Sequence, residues 1–283
     1  MVDVSVIVPF YNTEKYLGRN LKSLLRQKEI DAEFIFIDDS STDRSFKIVE
    51  KLSRKYPQIK LIRQEHKGAG IARNTGISNA SGRYIAFLDA DDIYPIPNSL
   101  HKLVEFADRN GLDICGGFRT LKYRLKVKEG ETNRKECKGH PEGVIVDYAD
   151  TQIDYDYSNF IFRREFLLSN KIDFPDFARY QDVPFLVEAM HRAGRYGIYP
   201  VECYRYTLHP DRPVVFDENN TVGLLQGILR TLKLAELYSY NELRKRTLDR
   251  FRDEYLPRIP SKILDGHQDI LQQIGSNNGN KVQ

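Results

Sequence analysis

Three carboxylates fall within four positions of YIAFLDADDIYP (residues 84–95), directly after an apolar run: Asp89, Asp91 and Asp92. Carboxylates packed this closely repel one another unless something positive sits among them. A hard divalent cation meets that need. Mg2+ and Mn2+ favour oxygen ligands, and Mg2+ typically uses one or two carboxylates together with substrate phosphates. The cluster therefore implies a metal, Mn2+ or Mg2+, and a phosphate-bearing ligand. Two other stretches place unusual residues after apolar runs. Pro9-Phe10-Tyr11-Asn12 offers an aromatic face for a base, and Asp38-Asp39 can accept hydrogen bonds from an imide N–H or from ribose hydroxyls. Singly, each stretch reads as a turn, a helix cap or a solvated acidic loop. Together, metal, base and diphosphate describe a nucleotide.

Other nucleotide chemistries lack their motifs. There is no GxxxxGK[ST] loop, and GAGIARNTG only begins like a dinucleotide fingerprint, because Arg73 stands where the third glycine belongs. Arg73 could reach a diphosphate or base, or be a surface arginine on a helix. No HExxH, GxSxG or Cys/His zinc pattern occurs.

The elements that must position these residues alternate between two periodicities. Residues 4–10, 33–39, 59–64 and 83–88 are short β-branched or aromatic runs, as expected for buried strands. Between them lie helical patterns: Leu17, Leu21, Leu24 and Leu25 form one stripe over residues 13–27, and Phe46, Val49 and Leu52 another, with Ser41, Thr42 or Asp43 as its N-cap. Residues 68–80 and 98–110 supply two more helices, the second stopped by Gly111. Strand and helix alternating over about 100 residues argue for a parallel, doubly wound sheet, in which ligands bind beyond the carboxyl ends of the strands. The three unusual stretches all lie at such ends.

The second half is less regular. Residues 119–140 hold eight Lys and Arg against three Glu and read as a solvated hairpin, or as a basic surface for a phosphate-bearing acceptor or an anionic membrane. Residues 181–194 are helical, 197–210 form one or two strands, and the chain from about 220 is a helical extension ending in a frayed tail, GSNNGNKVQ. The basic helices there, ELRKRTLDRFRDEY included, read as solvated or as a membrane-docking face.

In bulk the 283 residues are 41% hydrophobic and 29% charged, and carry a net charge of +3, too mild to imply a nucleic-acid partner. Cys115, Cys137 and Cys203 are far apart and form no CxxC, poor material for a disulfide framework or a zinc site. No run approaches the ~20 apolar residues of a membrane span, and the first residues do not resemble a signal peptide. A cytoplasmic protein is expected, with any membrane contact peripheral.

With these residues in view, the chain resembles the family 2 glycosyltransferases of the GT-A fold. The resemblance rests on VSVIVPFYNTEKYL, FIDDSSTDRS, HKGAGIARNTGI and GRYIAFLDADD, in order and register over roughly residues 3–105. It implies a Rossmann-like, mostly parallel sheet flanked by helices, divided into a donor half (1–115), an acceptor half (116–215) and a C-terminal helical region (216–283). It implies a nucleotide-sugar donor, most often a UDP-sugar, a divalent metal, and a single displacement that inverts the anomeric carbon. By position, Tyr11 and Asp39, with Asp38 beside them and Pro9 shaping the pocket, would hold the uracil, and Arg73 would contact the donor. Asp89 and Asp91 form the DxD motif: Asp91 the metal ligand, Asp89 on the ribose or a metal-bound water, Asp92 a further candidate. The base is implied to be Asp182 of Gln181-Asp182, where the family has Glu-Asp. A helix N-terminus there would favour the ionised carboxylate, and Asp182 could equally be an N-cap before Pro184. His209 and Arg212 of LHPDRPVV are candidates for the diphosphate or a lid. The acceptor would be a glycan or lipid-linked glycan. Absence of tryptophan, and with it of the QxxRW motif of processive synthases, implies transfer of one or a few sugars. A sugar nucleotidyltransferase, or a nucleotide-sugar-binding module without catalysis, are the competing readings. The former would more naturally carry a Gly-rich basic loop after the first strand.

Overall fold

Four parallel strands form the first half of the sheet, each an apolar run of the sequence: β1 (Val4–Phe10), β2 (Ala32–Asp38), β3 (Ile59–Arg63) and β4 (Tyr84–Phe87), in the spatial order β3-β2-β1-β4. The computed structural model describes residues 1–123, 126–129, 133, 136–209 and 215–276. Helices α1 (Leu17–Leu24), α2 (Ser45–Ser53) and α3 (Gly68–Asn79) connect these strands, and α4 (Ser99–Asn110) follows β4. The strand order reverses after β3, so α3 packs on the opposite face from α1 and α2, as right-handed crossovers require. Strand alternation sorts the side chains accordingly. Val4, Val6, Val8, Phe34, Phe36, Tyr84 and Ala86 face the core under α1 and α4, whereas Ile7, Ile35, Ile37, Ile85 and Phe87 face α3.

The sheet continues through the second half. β5 (Ile114–Tyr123) pairs with β6 (Lys126–Glu129) as the expected hairpin; within residues 119–140, positions 124–125, 130–132 and 134–135 lie outside the described ones. β7 (Val144–Asp147), β8 (Phe160–Arg163) and β9 (Arg195–Thr207) complete it in the order β4-β8-β5-β9-β7. β8 runs antiparallel to β4 and β5, and β9 runs parallel to β5. Most strands therefore share one direction, and one sheet spans the segments on both sides of residue 115. The one or two strands expected over 197–210 are a single strand, β9, with register shifts against Gly116–Arg119; Pro210 lies outside the described residues.

Short helices α5 (Tyr148–Thr151) and α6 (Arg164–Ser169) lead to α7 (Asp182–Ala193), which closes the α3 face. Beyond it come α8 (Glu218–Leu237), α9 (Asn241–Arg250), α10 (Ser261–Gly266) and α11 (Gln268–Ser276), and the last residues, 277–283, lie outside the described ones. Tyr180, Val183 and Val187 join Leu224, Leu225, Ile228 and Leu232 in a third core, so the extension packs on the base of α7. Among the described residues no helix is long and apolar enough to cross a membrane. All three cysteines are free and buried.

Two helix starts differ from expectation. α1 begins at Leu17 rather than residue 13, because the preceding turn is tied to the loop before α2. Asn12 adopts a left-handed φ of 51°, and the N–H groups of Thr13 and Glu14 donate to Ser45 Oγ (2.8 Å) and Asp43 Oδ2 (3.2 Å). α2 has Arg44 at its cap position with no side-chain cap bond. Asp43 instead accepts from Ser45 N–H (2.8 Å) while reaching back across that turn.

Candidate functional site

β1 and β4 are adjacent although five elements separate them in sequence, and their carboxyl ends meet at the switch in strand order, where open α/β sheets bind their ligands. Pro9 is buried in β1, and Tyr11, 44% exposed, lies just beyond it. The Tyr11 ring packs on His66 with centroids 4.4 Å apart. His66 Nδ1 lies 2.9 Å from Asp39 Oδ2.

Asp38 and Asp39 point to opposite faces because they end a strand. Asp38 accepts from Ser41 N–H (3.0 Å) and pairs with Arg63 Nε (3.2 Å), holding the β2–α2 turn. Asp39 turns toward α3, where it accepts from Lys67 N–H (2.9 Å), Gly68 N–H (2.9 Å) and Gln64 Nε2 (2.8 Å). Two otherwise orphaned amides at the start of α3 are thereby satisfied, and Asp39 joins the Tyr11–His66 pair to that helix.

The acidic cluster divides in the same way. Asp89 follows the alternation that sets Ile85 and Phe87 on the α3 face, and Arg73 of α3 donates to its Oδ1 at 2.8 Å. Arg73 is 5% exposed, with its guanidinium 5.0 Å from the Tyr157 ring centroid and 5.3 Å from that of Phe174. Burial works against its charge, but Tyr157, Asp89 and Asp182 more than restore it, so its pKa is raised. Its Nε and Nη1 are buried and have no hydrogen-bond partner. Asp91 lies on the other side of the loop, with Oδ2 3.2 Å from His209 Nε2. Asp92 is fully buried and faces β9: it accepts from Tyr204 OH (2.6 Å) and Thr207 N–H (2.7 Å). Burial, then the charges of Asp89 and Asp91, push its carboxyl up to about 8. Asp92 thus braces the loop, while Asp89 and Asp91 remain partly exposed beyond β4.

Asp182 is the first residue of α7, with Gln181 in the cap position and no side-chain cap bond. The sequence expectation of an N-cap at Asp182 is displaced by one residue. Burial raises its pKa despite the opposing charge of Arg73 and the N–H groups of Asp182 and Val183. The helix terminus expected to favour the ionised form is therefore outweighed by desolvation. Gln181 packs on α3: a Cβ at Gly70 would sit 3.0 Å from Gln181 Cγ and 3.2 Å from Pro175 O, a tight contact. Arg73 thus couples Asp89 at the end of β4 to Asp182 at the head of α7. Arg212 lies outside the described residues.

Several supporting residues escaped the sequence reading. Asn20 donates through Nδ2 to the carbonyls of Asp89 (3.0 Å) and Asp92 (3.1 Å), and Arg19 Nη2 donates to Asp91 O (2.5 Å). Asn20 had a legible signal, being a polar residue on the buried Leu17-Leu21-Leu24 face. Tyr157, whose hydroxyl donates to Asp89 Oδ1 at 3.4 Å, and Tyr204 had none.

The donor set can be tested against a metal. Asp91 and His209 present one carboxylate and one imidazole side by side; the carboxylate suits Mg2+ or Mn2+, while the imidazole by itself suits softer transition metals. Among the described residues no group of three or more acidic, His or Cys side chains forms a cage. The arrangement fits an ion that takes its other ligands from a diphosphate and water.

A mostly parallel α/β sheet with its crevice at the strand switch point, lined by carboxylates and an aromatic ring, defines the class of the protein. Residues 5–168 match Glycosyl transferase family 2, and the chain belongs to that family. It is 33% identical over 213 residues to EpsJ, an uncharacterized glycosyltransferase of Bacillus subtilis, covering 74% of this chain and 62% of that one. It is 31% identical over 213 residues to YibD, an uncharacterized glycosyltransferase of Escherichia coli, covering 73% and 61%. The chain thus spans about three-fifths of each relative. Residues 1–349 of S. aureus TarS in complex with UDP-GlcNAc superpose with a TM-score of 0.72 at 24% identity, covering 96% of this chain and 82% of that one. That likeness shows the GT-A fold, C-terminal helices included.

Proposed function

We propose that the protein is an inverting, metal-dependent glycosyltransferase that moves one sugar from a nucleotide-sugar, a UDP-sugar in the first instance, to an acceptor hydroxyl in glycan assembly. The observation that carries this is Arg73: a buried guanidinium with two unpartnered nitrogens, set between Asp89 and Asp182. Buried N–H groups left unpaired cost about 1–3 kcal/mol each, and donor oxygens would satisfy them. UDP-GlcNAc bound to TarS supports the choice of donor.

In this reading Tyr11 offers its face to the base, with His66 and Asp39 holding the pocket wall beside it. Asp89 orients Arg73, and Arg73 meets charge on the departing diphosphate. Asp91 and His209 would hold Mn2+ or Mg2+, which supplies further neutralisation of that leaving group. Asp182 removes the proton from the acceptor hydroxyl. The acceptor oxygen then bonds to the anomeric carbon as the bond from that carbon to the diphosphate oxygen breaks on the opposite face. The bonding pair leaves with the diphosphate, the proton stays on Asp182, and the configuration inverts. The raised pKa of Asp182 makes it the stronger base for this task. We place the acceptor, a glycan or lipid-linked glycan, on the side formed by residues 116–215, with the protein cytoplasmic and its membrane contact peripheral.

The test is titration of UDP into wild type and Asp182→Asn, with Mn2+ and with EDTA, alongside UDP release from UDP-GlcNAc. Metal-dependent binding in both proteins with release lost in the variant is the expected result. Unchanged release in Asp182→Asn would remove Asp182 as the base, nucleotide binding without release from either protein would leave a binding module, and no nucleotide binding at all would remove the donor site.

A further inference from the structure

Asp182 heads α7, and the three residues before Gln181 are gripped from both sides by the C-terminal extension. On one side is α8. A Cβ at Gly223 would lie 2.8 Å from Arg179 N and 2.9 Å from Ala178 N, and one at Gly227 would lie 2.9 Å from Tyr180 O and 3.0 Å from Tyr180 Cβ. Backbone meets backbone there, and only glycine permits it. On the other side is α9. Arg250 Nη1 donates to Asp154 Oδ2 at 2.8 Å and to Tyr180 OH at 3.3 Å, and its guanidinium lies 3.8 Å from the centre of the Tyr155 ring. Asp154 and Tyr180 are 4% and 6% exposed. Between these walls Tyr180 is held at φ 66°, a left-handed conformation uncommon for a bulky residue. Strain of this kind persists only where the surroundings over-determine it, and here it sets the direction in which the chain enters α7.

We propose that Gly223, Gly227 and Arg250 are positioning residues for the reaction, and that the cradle they form around residues 178–180 sets the place of the Asp182 carboxylate. The inference rests on Asp182 being the base. It gives the extension, which lies beyond the family-matched residues 5–168, a part in the chemistry rather than in stability alone. Displacement of a catalytic group by about 1 Å can cost about 100-fold in rate.

The test compares Gly227→Ala, Arg250→Lys and Asp182→Asn in the full chain, measuring UDP release from UDP-GlcNAc, UDP affinity, the pH profile of kcat and Tm. The expected result is a 10- to 100-fold lower kcat in Gly227→Ala and Arg250→Lys, UDP affinity within about twofold of wild type, and a displaced acid limb. If Gly227→Ala fails to fold, Tyr180→Phe, which removes only the hydroxyl that meets Arg250, takes its place with a smaller loss in the same direction. Folded variants with wild-type kcat and pH profile, while Asp182→Asn is inactive, overturn the cradle. Should Asp182→Asn itself keep full activity, the assignment of the base fails first.

Discussion

At the scale of residues, the site turns on Arg73 and Asp182. Asp182→Asn keeps the size and the helix start but cannot take a proton. We expect a loss of about 100- to 10,000-fold in turnover, the usual range for a general base, with UDP affinity unchanged by calorimetry. The pH dependence follows from the sign of its shift. A base works deprotonated, so activity falls as pH drops through the pKa of Asp182. Burial raises that pKa, so the acid limb of kcat/KM, which reports the free enzyme, lies above the ordinary aspartate value of about 3.9. A limb at or below that value would contradict the burial argument.

At the scale of elements, two devices hold the strand ends where the site needs them. Gly76 lets α3 lie against β1, since a Cβ there would sit 2.3 Å from Ile7 Cγ2. Gly76→Ala should cost about 1–3 kcal/mol by overpacking and weaken UDP binding, because the helix that carries Arg73 must shift. Thermal melts and UDP titration check both, and a destabilised variant with intact affinity would separate packing from the site. At the opposite edge Glu33 joins four segments. Ser5 Oγ donates to its Oε1 at 2.5 Å, Ser81 N–H at 2.6 Å and Ser81 Oγ at 2.8 Å, and Lys60 Nζ lies 2.5 Å from Oε2. Burial opposes the charge, but Lys60, Ser5 and Ser81 prevail and lower its pKa to about 2. A lowered carboxylate pKa stabilises the fold above the unfolded value and loses that contribution as pH falls toward the folded one. Glu33→Gln should therefore cost about 1–3 kcal/mol at pH 7. The gap from wild type should close between about pH 4.5 and 2 in urea melts. A pH-independent gap would mean packing, not charge.

At the scale of the whole molecule, a ligand that binds only the folded state raises stability by mass action. UDP with Mn2+ at about a hundred times its Kd should contribute about 2.7 kcal/mol, a rise of about 5–10 °C in Tm. EDTA should remove most of that rise if Asp91 and His209 hold a metal that UDP completes. A full rise in EDTA would remove the metal from the donor site.

The sequence by itself determined the periodicities, and with them the parallel strands, the face of each helix and the strand ends at which ligands bind. Those features are local: alternation of two and a stripe of 3.6 are written in neighbouring residues. It also marked Tyr11, Asp39, Asp89 and Asp91, because each lies within a few residues of a strand's carboxyl end. Only the tertiary structure decided what each of the neighbouring carboxylates meets. Asp39 turns to the start of α3 and Asp89 to Arg73, by strand alternation, whereas Asp38 and Asp92 brace turns. Only the fold could set Asp182 near Arg73, residues more than a hundred positions apart, or reveal Tyr157 beneath them. Such meetings depend on which elements pack together, and packing is settled by the shape of a whole core rather than by any stretch of chain.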